Sequence, residues 1–150
     1  EVKCERTPNG VYMTTAFRPY SAGVILTGDA ILSLWGSPVV GDNAHLVSRH
    51  RFVCDCTEDH FGNETITIFS AFMHMHDSGK KMITSIYDGK TKQRKHQILA
   101  DFYDFHCQPL LQTSMQVTGG DSFIVDCFYD ERDAHPQASG RFGIGTFDEM

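Results

Sequence analysis

The stretch that decides the fold is ETITIFSAFMHMH, residues 64–76. Threonine, isoleucine and phenylalanine, which favour β-strands, fill most of its first half. Similar short runs recur along the chain between Gly, Asp, Asn and Pro residues, and helical periodicity is nearly absent. We therefore predict an all-β protein of antiparallel strands, arranged as a jelly-roll β-sandwich.

The other predicted strands end at turn sequences. DGK at 88–90 and TGGD at 118–121 are clear turns, and the lysine-rich GKTKQRKH at 89–96 is predicted to be a solvated hairpin loop. Because no repeat or linker interrupts the series, we predict one domain over residues 11–150, preceded by a lead-in segment of residues 1–10. The remaining strands are predicted at residues 10–17, 22–28, 30–36, 49–56, 80–88, 105–117, 121–129 and 141–147.

The composition limits the classes of partner. A chain of 150 residues with 41% hydrophobic and 21% charged residues is long enough to bury a sizeable core. Its formal net charge of −6 argues against a nucleic acid or an anionic membrane surface as the main partner. No run approaches the roughly 20 apolar residues of a membrane span. We expect neither a nucleic-acid partner nor a membrane span.

Cysteine content and a glycosylation sequon predict a secreted protein or one in the lumen of a secretory vesicle. The chain has five cysteines and no C-x-x-C pair, which is more than a typical cytosolic protein carries. NET at Asn63 is an N-glycosylation acceptor sequence in a predicted turn. Since the chain begins with Glu1 rather than Met, we expect it to be a processed or excised piece. The cysteines are Cys4, Cys54, Cys56, Cys107 and Cys127.

The end of the opening stretch carries a candidate metal site. Successive side chains of a strand point to opposite faces, so Phe72, His74 and His76 share one face, and Met73 and Met75 share the other. An H-x-H pair on one strand places two imidazoles side by side, where both can reach one ion. The alternative is that the histidines lie on a solvent face and the methionines fill the core.

Several segments together resemble the C-terminal domain of the copper type II, ascorbate-dependent monooxygenases. They occur in the family's order and close to its spacing, from about Asn9 to Met150, and Cys56 lies 18 residues before His74. The segments are AGVILTG at 22–28, ITIFSAFMHMHDSG at 66–79, GGDSFIVDC at 119–127 and FGIGTFDEM at 142–150.

The resemblance implies a copper site formed by His74, His76 and Met150, which are also the expected catalytic residues. A thioether favours Cu(I), imidazoles serve both oxidation states, and three protein ligands leave a position open for dioxygen. By itself, a terminal methionine predicts only a frayed chain end. The resemblance also implies hydroxylation of a substrate C–H bond, with electrons from ascorbate passing through a second copper in an N-terminal domain. This chain has no second histidine pair, so we expect it to bind copper but not to turn over alone.

Phe72 is the candidate substrate residue. Peptide-amidating members of the family have an arginine two residues before the first histidine, and that arginine holds the substrate carboxylate. A phenyl ring cannot supply this contact, so we expect a small aromatic amine rather than a peptide. The alternative is that Phe72 packs in the core. Asp77, Asp148 and Glu149 are candidates to orient the imidazoles.

The cysteines of the resembling family pair partly with residues that would follow Met150. In that family a cysteine directly after the ligand methionine pairs with the one that matches Cys127. If any disulfide forms within this chain, we expect Cys107 with Cys127.

Two other functions stay open. An extracellular copper-binding or interaction domain without catalysis would keep the fold and lose the chemistry. A cupin-like enzyme also places H-x-H on a jelly-roll strand, but usually follows it with a glutamate, and here the matching positions hold Lys80 and Lys81.

Overall fold

The computed structural model describes residues 3–6, 12–15, 23–28, 38–39, 46–55, 57–108, 110–133, 136–137, 139–143, 145 and 148, with backbone only at 3–6, 12–15, 60 and 133. The strands of this part are β1 Lys3–Arg6, β2 Tyr12–Thr15, β3 Val47–Cys54, β4 Thr65–Phe72, β5 Gly79–Tyr87, β6 Arg94–Ala100, β7 Leu110–Thr118 and β8 Ser122–Asp130. A short helix, α1, spans Thr57–Phe61, and a 3-10 turn spans Glu131–Asp133. No helix among the described residues is long and apolar enough to cross a membrane.

The strands form antiparallel sheets, which confirms the predicted all-β class. One sheet has the order β3-β8-β5-β6, a second pairs β4 with β7, and a third pairs β1 with β2. Ile86 of β5 and Phe123 of β8 share a core cluster with Met115 and Val117 of β7. The first two sheets therefore pack against each other through apolar side chains, as in a sandwich. This arrangement is compatible with a jelly roll.

The central strand β8 shows how the sequence builds this core. Phe123, Val125, Cys127 and Tyr129 are all buried, at every second position of the strand. Fully burying one large apolar side chain contributes about 1.5–3 kcal/mol to stability. Asp126 points to the opposite face of the sheet, where arginines of β3 meet it.

The strand that leads to the candidate site is shorter than predicted. The β4–β7 ladder contains an irregularity between Ile68 and Ser70 and ends where Phe72 pairs with Leu110. The residue before Leu110 in the sequence is proline, which has no backbone N–H to donate to a ladder. Residues 73–76 therefore continue beyond the sheet, although the prediction extended the strand through them.

Other predicted elements also differ from the structure. The predicted loop at 89–96 is wrong in its last three residues, because β6 begins at Arg94. Within the described part of the chain β6 is the outermost strand of its sheet, and charged residues on such an edge discourage pairing with other chains. Helix α1 was not predicted. Residues 23–28 and 141–142 form no strand, although Arg141 makes an isolated bridge, and the predicted strand at 30–36 lies outside the described residues.

Candidate metal centre

The two histidines of the H-x-H motif lie side by side. Their ring centroids are 5.0 Å apart and the ring planes are nearly perpendicular, at 84°. Met73 and Met75 are buried in the core, so the predicted separation of histidines from methionines is confirmed even though β4 has ended. His76 is only 8% exposed, which is too little for a histidine on a solvent face. The two imidazoles are therefore a structured pair.

The orientation of His74 is set by Gln108. The Nδ1 of His74 lies 2.7 Å from the Oε1 of Gln108. The Nε2 of the same amide donates to the backbone carbonyl of Phe105 at 2.6 Å, so the amide oxygen must face His74. Since an amide oxygen only accepts, the Nδ1–H of His74 donates, and its Nε2 carries the free lone pair in the neutral ring.

The orientation of His76 is set by the other end of the chain. Its Nδ1–H donates to the backbone carbonyl of Asp148 at 2.5 Å, which again leaves Nε2 with the lone pair. Asp148 closes a tight loop, because its Oδ2 accepts from the N–H of Gly145 at 3.0 Å. A Cβ on Gly143 would lie 2.4 Å from that Oδ2, so any larger residue there would displace the Asp148 side chain. Sequence reasoning named Asp148, but the group that orients the ring is its carbonyl and not its carboxylate.

Aromatic side chains surround the imidazole pair. The ring of Phe72 stacks on His74 at 5.9 Å between centroids and 17° between planes, and the edge of Phe105 meets His76 at 5.7 Å. Phe72 is 56% exposed, so the alternative that placed it in the core is wrong. Its ladder partner Leu110 is 68% exposed. The site is thus bordered by accessible apolar surface.

The described histidines fit a copper ion. Two neutral imidazoles with engaged Nδ1 atoms and available Nε2 lone pairs are suitable copper ligands. In the described part of the chain, no group of three or more His, Cys, Asp or Glu residues could hold a metal. Met150, the third predicted ligand, and Glu149 lie outside the described residues.

Sequence reasoning missed Gln108, Phe105 and Leu110. Gln108 is 34 positions from His74, and no local pattern links the two residues. The structure gives no strand at 105–108, so side-chain alternation could not have found Phe105 or Gln108.

The remaining sequence predictions concern modification. Asn63 lies in an exposed turn after α1.

The expected Cys107–Cys127 disulfide is wrong, because Cys107 is an exposed free thiol and Cys127 is buried on the central strand.

Most of this chain matches one protein family. Residues 20–150 match the family described as copper type II ascorbate-dependent monooxygenase, C-terminal domain. Tyramine beta-hydroxylase of Caenorhabditis briggsae is 31% identical over 146 residues, covering 93% of this chain and 23% of the relative. Dopamine beta-hydroxylase is 27% identical over 137 residues in Bos taurus, covering 89% of this chain and 22% of the relative. For the Equus caballus protein of that name the identity is 26% over 149 residues, with 96% and 24% covered. The chain thus spans about a quarter of these relatives.

Proposed function

The chain belongs to the copper type II ascorbate-dependent monooxygenases as their C-terminal domain, and from this we propose that it is the oxygen-activating copper domain of an enzyme that hydroxylates a substrate C–H bond. Copper and ascorbate are the cofactors that the family name implies. The observation that carries the proposal is the pair His74 and His76, whose Nδ1 atoms are both engaged and whose Nε2 atoms are left for a metal.

Met150 is proposed as the third ligand. The carbonyl of Asp148 lies against His76, and only two peptide bonds separate Asp148 from Met150. Covalent geometry keeps the Cα atoms of residues two apart within about 7 Å. When bound, copper would supply redox chemistry with dioxygen, and a thioether ligand would favour its reduced form.

The residues around the metal position are proposed to orient the two imidazoles and to exclude water. Gln108 and the Asp148 carbonyl hold the two imidazoles in fixed orientations and increase their basicity as ligands. Phe72 and Phe105 cover the outer sides of the rings. An apolar border limits the access of water to a reacting centre, which suppresses side reactions.

A small aromatic amine is the proposed substrate class. Phe72 is exposed beside His74 and can stack on an aromatic ring, but it cannot pair with a peptide carboxylate. The names of the relatives, tyramine and dopamine beta-hydroxylase, agree with an amine. Phe72 is thus the residue proposed to select the substrate, by contact with its aromatic ring.

The other proposed partners are dioxygen and an N-terminal copper domain of the same protein. That domain would receive electrons from ascorbate, so this chain alone is not expected to turn over. The proposed location is extracellular or the lumen of a secretory vesicle, where an exposed Asn63 is open to glycosylation.

Copper titration with X-ray absorption on the reduced form tests the site. The expected spectrum of the purified chain has two nitrogen scatterers and one sulfur at one equivalent of copper. His74→Ala and His76→Ala are each expected to remove one nitrogen, and Met150→Ala to remove the sulfur. His96→Ala, a histidine on β6, is the matched control and should change nothing.

Two results would contradict the proposal. Absence of one-equivalent copper binding in the unaltered chain would remove the metal site. Sulfur that persists in Met150→Ala would move the thioether to another methionine, and Met73 and Met75 would then have to leave the core.

A further inference from the structure

Tyr103 makes an unusual pair of contacts with the residue between the two histidines. Its hydroxyl accepts from the backbone N–H of Met75 at 2.9 Å and donates to the backbone carbonyl of Met75 at 2.5 Å. A phenolic hydroxyl can accept and donate at once, so one side chain satisfies both backbone polar groups of Met75.

The contact matters because residues 73–76 have left the sheet. The β4–β7 ladder ends at Phe72, and buried backbone N–H and C=O groups need partners somewhere. Met75 is fully buried, so water cannot form hydrogen bonds with its backbone N–H and C=O groups. The Tyr103 hydroxyl replaces the two hydrogen bonds that a neighbouring strand would otherwise make.

Tyr103 is itself firmly held. Its backbone N–H donates to the carbonyl of Lys80 on β5 at 2.9 Å, and its ring packs against the core cluster that contains Met75. Met75 also fits tightly against Gly79, where an added Cβ would lie 2.6 Å from the Met75 Cβ. The four-stranded sheet therefore fixes the position of the Met75 backbone through Tyr103.

We propose that Tyr103 is a positioning residue for the metal centre, which holds the Met75 backbone so that His74 and His76 keep a fixed spacing. The inference rests on the proposed copper site for its chemical consequence. Loss of a partner that orients a metal ligand typically lowers metal affinity by about 10–100-fold. Both hydrogen bonds of the hydroxyl go to the backbone of Met75, so the proposed effect on the imidazoles runs through the backbone.

Tyr103→Phe removes the hydroxyl and keeps the ring. In the purified chain, the variant is expected to bind Cu(I) about tenfold more weakly. The electron paramagnetic resonance spectrum of its Cu(II) form is expected to broaden, because the spacing of the imidazoles varies. Tyr87→Phe, a matched loss of a hydroxyl at the end of β5, should leave the copper affinity and the spectrum unchanged.

Amide hydrogen exchange provides a readout that needs no metal. In the unaltered chain the Met75 amide should exchange slowly although it lies outside the ladders, and in Tyr103→Phe it should exchange about tenfold faster. Equal exchange of this amide in both chains, or rapid exchange in the unaltered chain, overturns the inference. Faster exchange with unchanged copper affinity and spectrum overturns it as well. Failure of the unaltered chain to bind copper would instead reject the proposed function, and the exchange rate would still decide whether Tyr103 holds the segment.

Discussion

The Nδ1–H of His76 donates to the backbone carbonyl of Asp148, a residue 72 positions further along the chain. This single bond joins the H-x-H segment to the last part of the sequence. It fixes the tautomer of the imidazole and ties Asp148 to the H-x-H motif.

The Asp148 carboxylate should matter for copper even though it does not touch the histidines. Asp148→Ala removes the acceptor for the Gly145 N–H, which releases the loop that presents the carbonyl to His76. We expect copper affinity to fall about tenfold, measured by competition with a chromophoric chelator. Asp148→Asn keeps an acceptor oxygen and should stay close to the unaltered chain. Equal affinity in the alanine variant would show that the loop does not depend on this carboxylate.

Gln108 should control the tautomer of His74. Gln108→Leu removes the acceptor of the Nδ1–H, so the ring can rotate or shift its proton. Copper affinity is expected to fall about tenfold, and nitrogen NMR of the apo chain should show His74 no longer as a single Nδ1–H tautomer. Gln112→Leu, an exposed glutamine on the nearby strand β7, serves as the control. A His74 tautomer that is unchanged in Gln108→Leu would contradict the assignment.

Phe72 should affect substrate binding more than metal binding. In the complete enzyme, Phe72→Ala is expected to raise KM for an aromatic amine about two- to tenfold, since an aromatic pair contributes about 0.5–1.5 kcal/mol. Copper stoichiometry should stay the same. Phe69→Ala on the same strand, with a side chain that is 65% exposed, is the control for surface effects. An equal effect of the two substitutions would remove Phe72 from the substrate site.

Asp126 should make the fold sensitive to acid. The hydrogen bond from Arg51 holds the pKa of Asp126 below its usual value of 3.8, against the opposing effect of burial, and Arg49 adds to the lowering. Because the folded-state pKa is depressed, the contribution to stability is complete above the usual pKa and is lost as pH falls through the folded value.

Asp126→Asn tests this electrostatic contribution. The variant should lower the free energy of unfolding at pH 7 by about 1 kcal/mol, a modest figure because both arginines are about half exposed. It should also show a weaker loss of stability below pH 3.8 in thermal unfolding. Asp101→Asn breaks an exposed pair with Lys81 and should change little. If the stability of Asp126→Asn fell more steeply in acid than that of the unaltered chain, the acid sensitivity could not be assigned to Asp126.

Asn63 should carry a glycan when the protein passes through a secretory pathway. It lies in an exposed turn and is followed at the second position by Thr65, as glycosylation requires. Endoglycosidase treatment of the secreted protein should then lower its apparent mass. Asn63→Gln and Thr65→Ala should both abolish the shift. A shift that persists in both would place the glycan elsewhere.

Much of the fold followed from local pattern. The β5 and β8 strands, most of β7 and the turns at 88–90 and 118–121 were predicted because β-branched and aromatic runs alternate with Gly and Asp. The start of β7 was placed too early, at residue 105. Strand β6 was missed because its first residues are charged, and such residues are read as a loop when the sheet edge that they protect is unknown. The end of β4 was misplaced because it depends on where β7 begins.

The sequence by itself determined the all-β class, the family resemblance and the face shared by Phe72, His74 and His76, since all of these follow from residue order and a period of two. Only the tertiary structure decided what holds that face in place. Gln108, Tyr103 and the carbonyl of Asp148 reach the motif from 34, 28 and 72 positions away. Such contacts depend on how strands pair and where ladders end, and packing between distant segments, unlike alternation, leaves no periodic trace in the sequence.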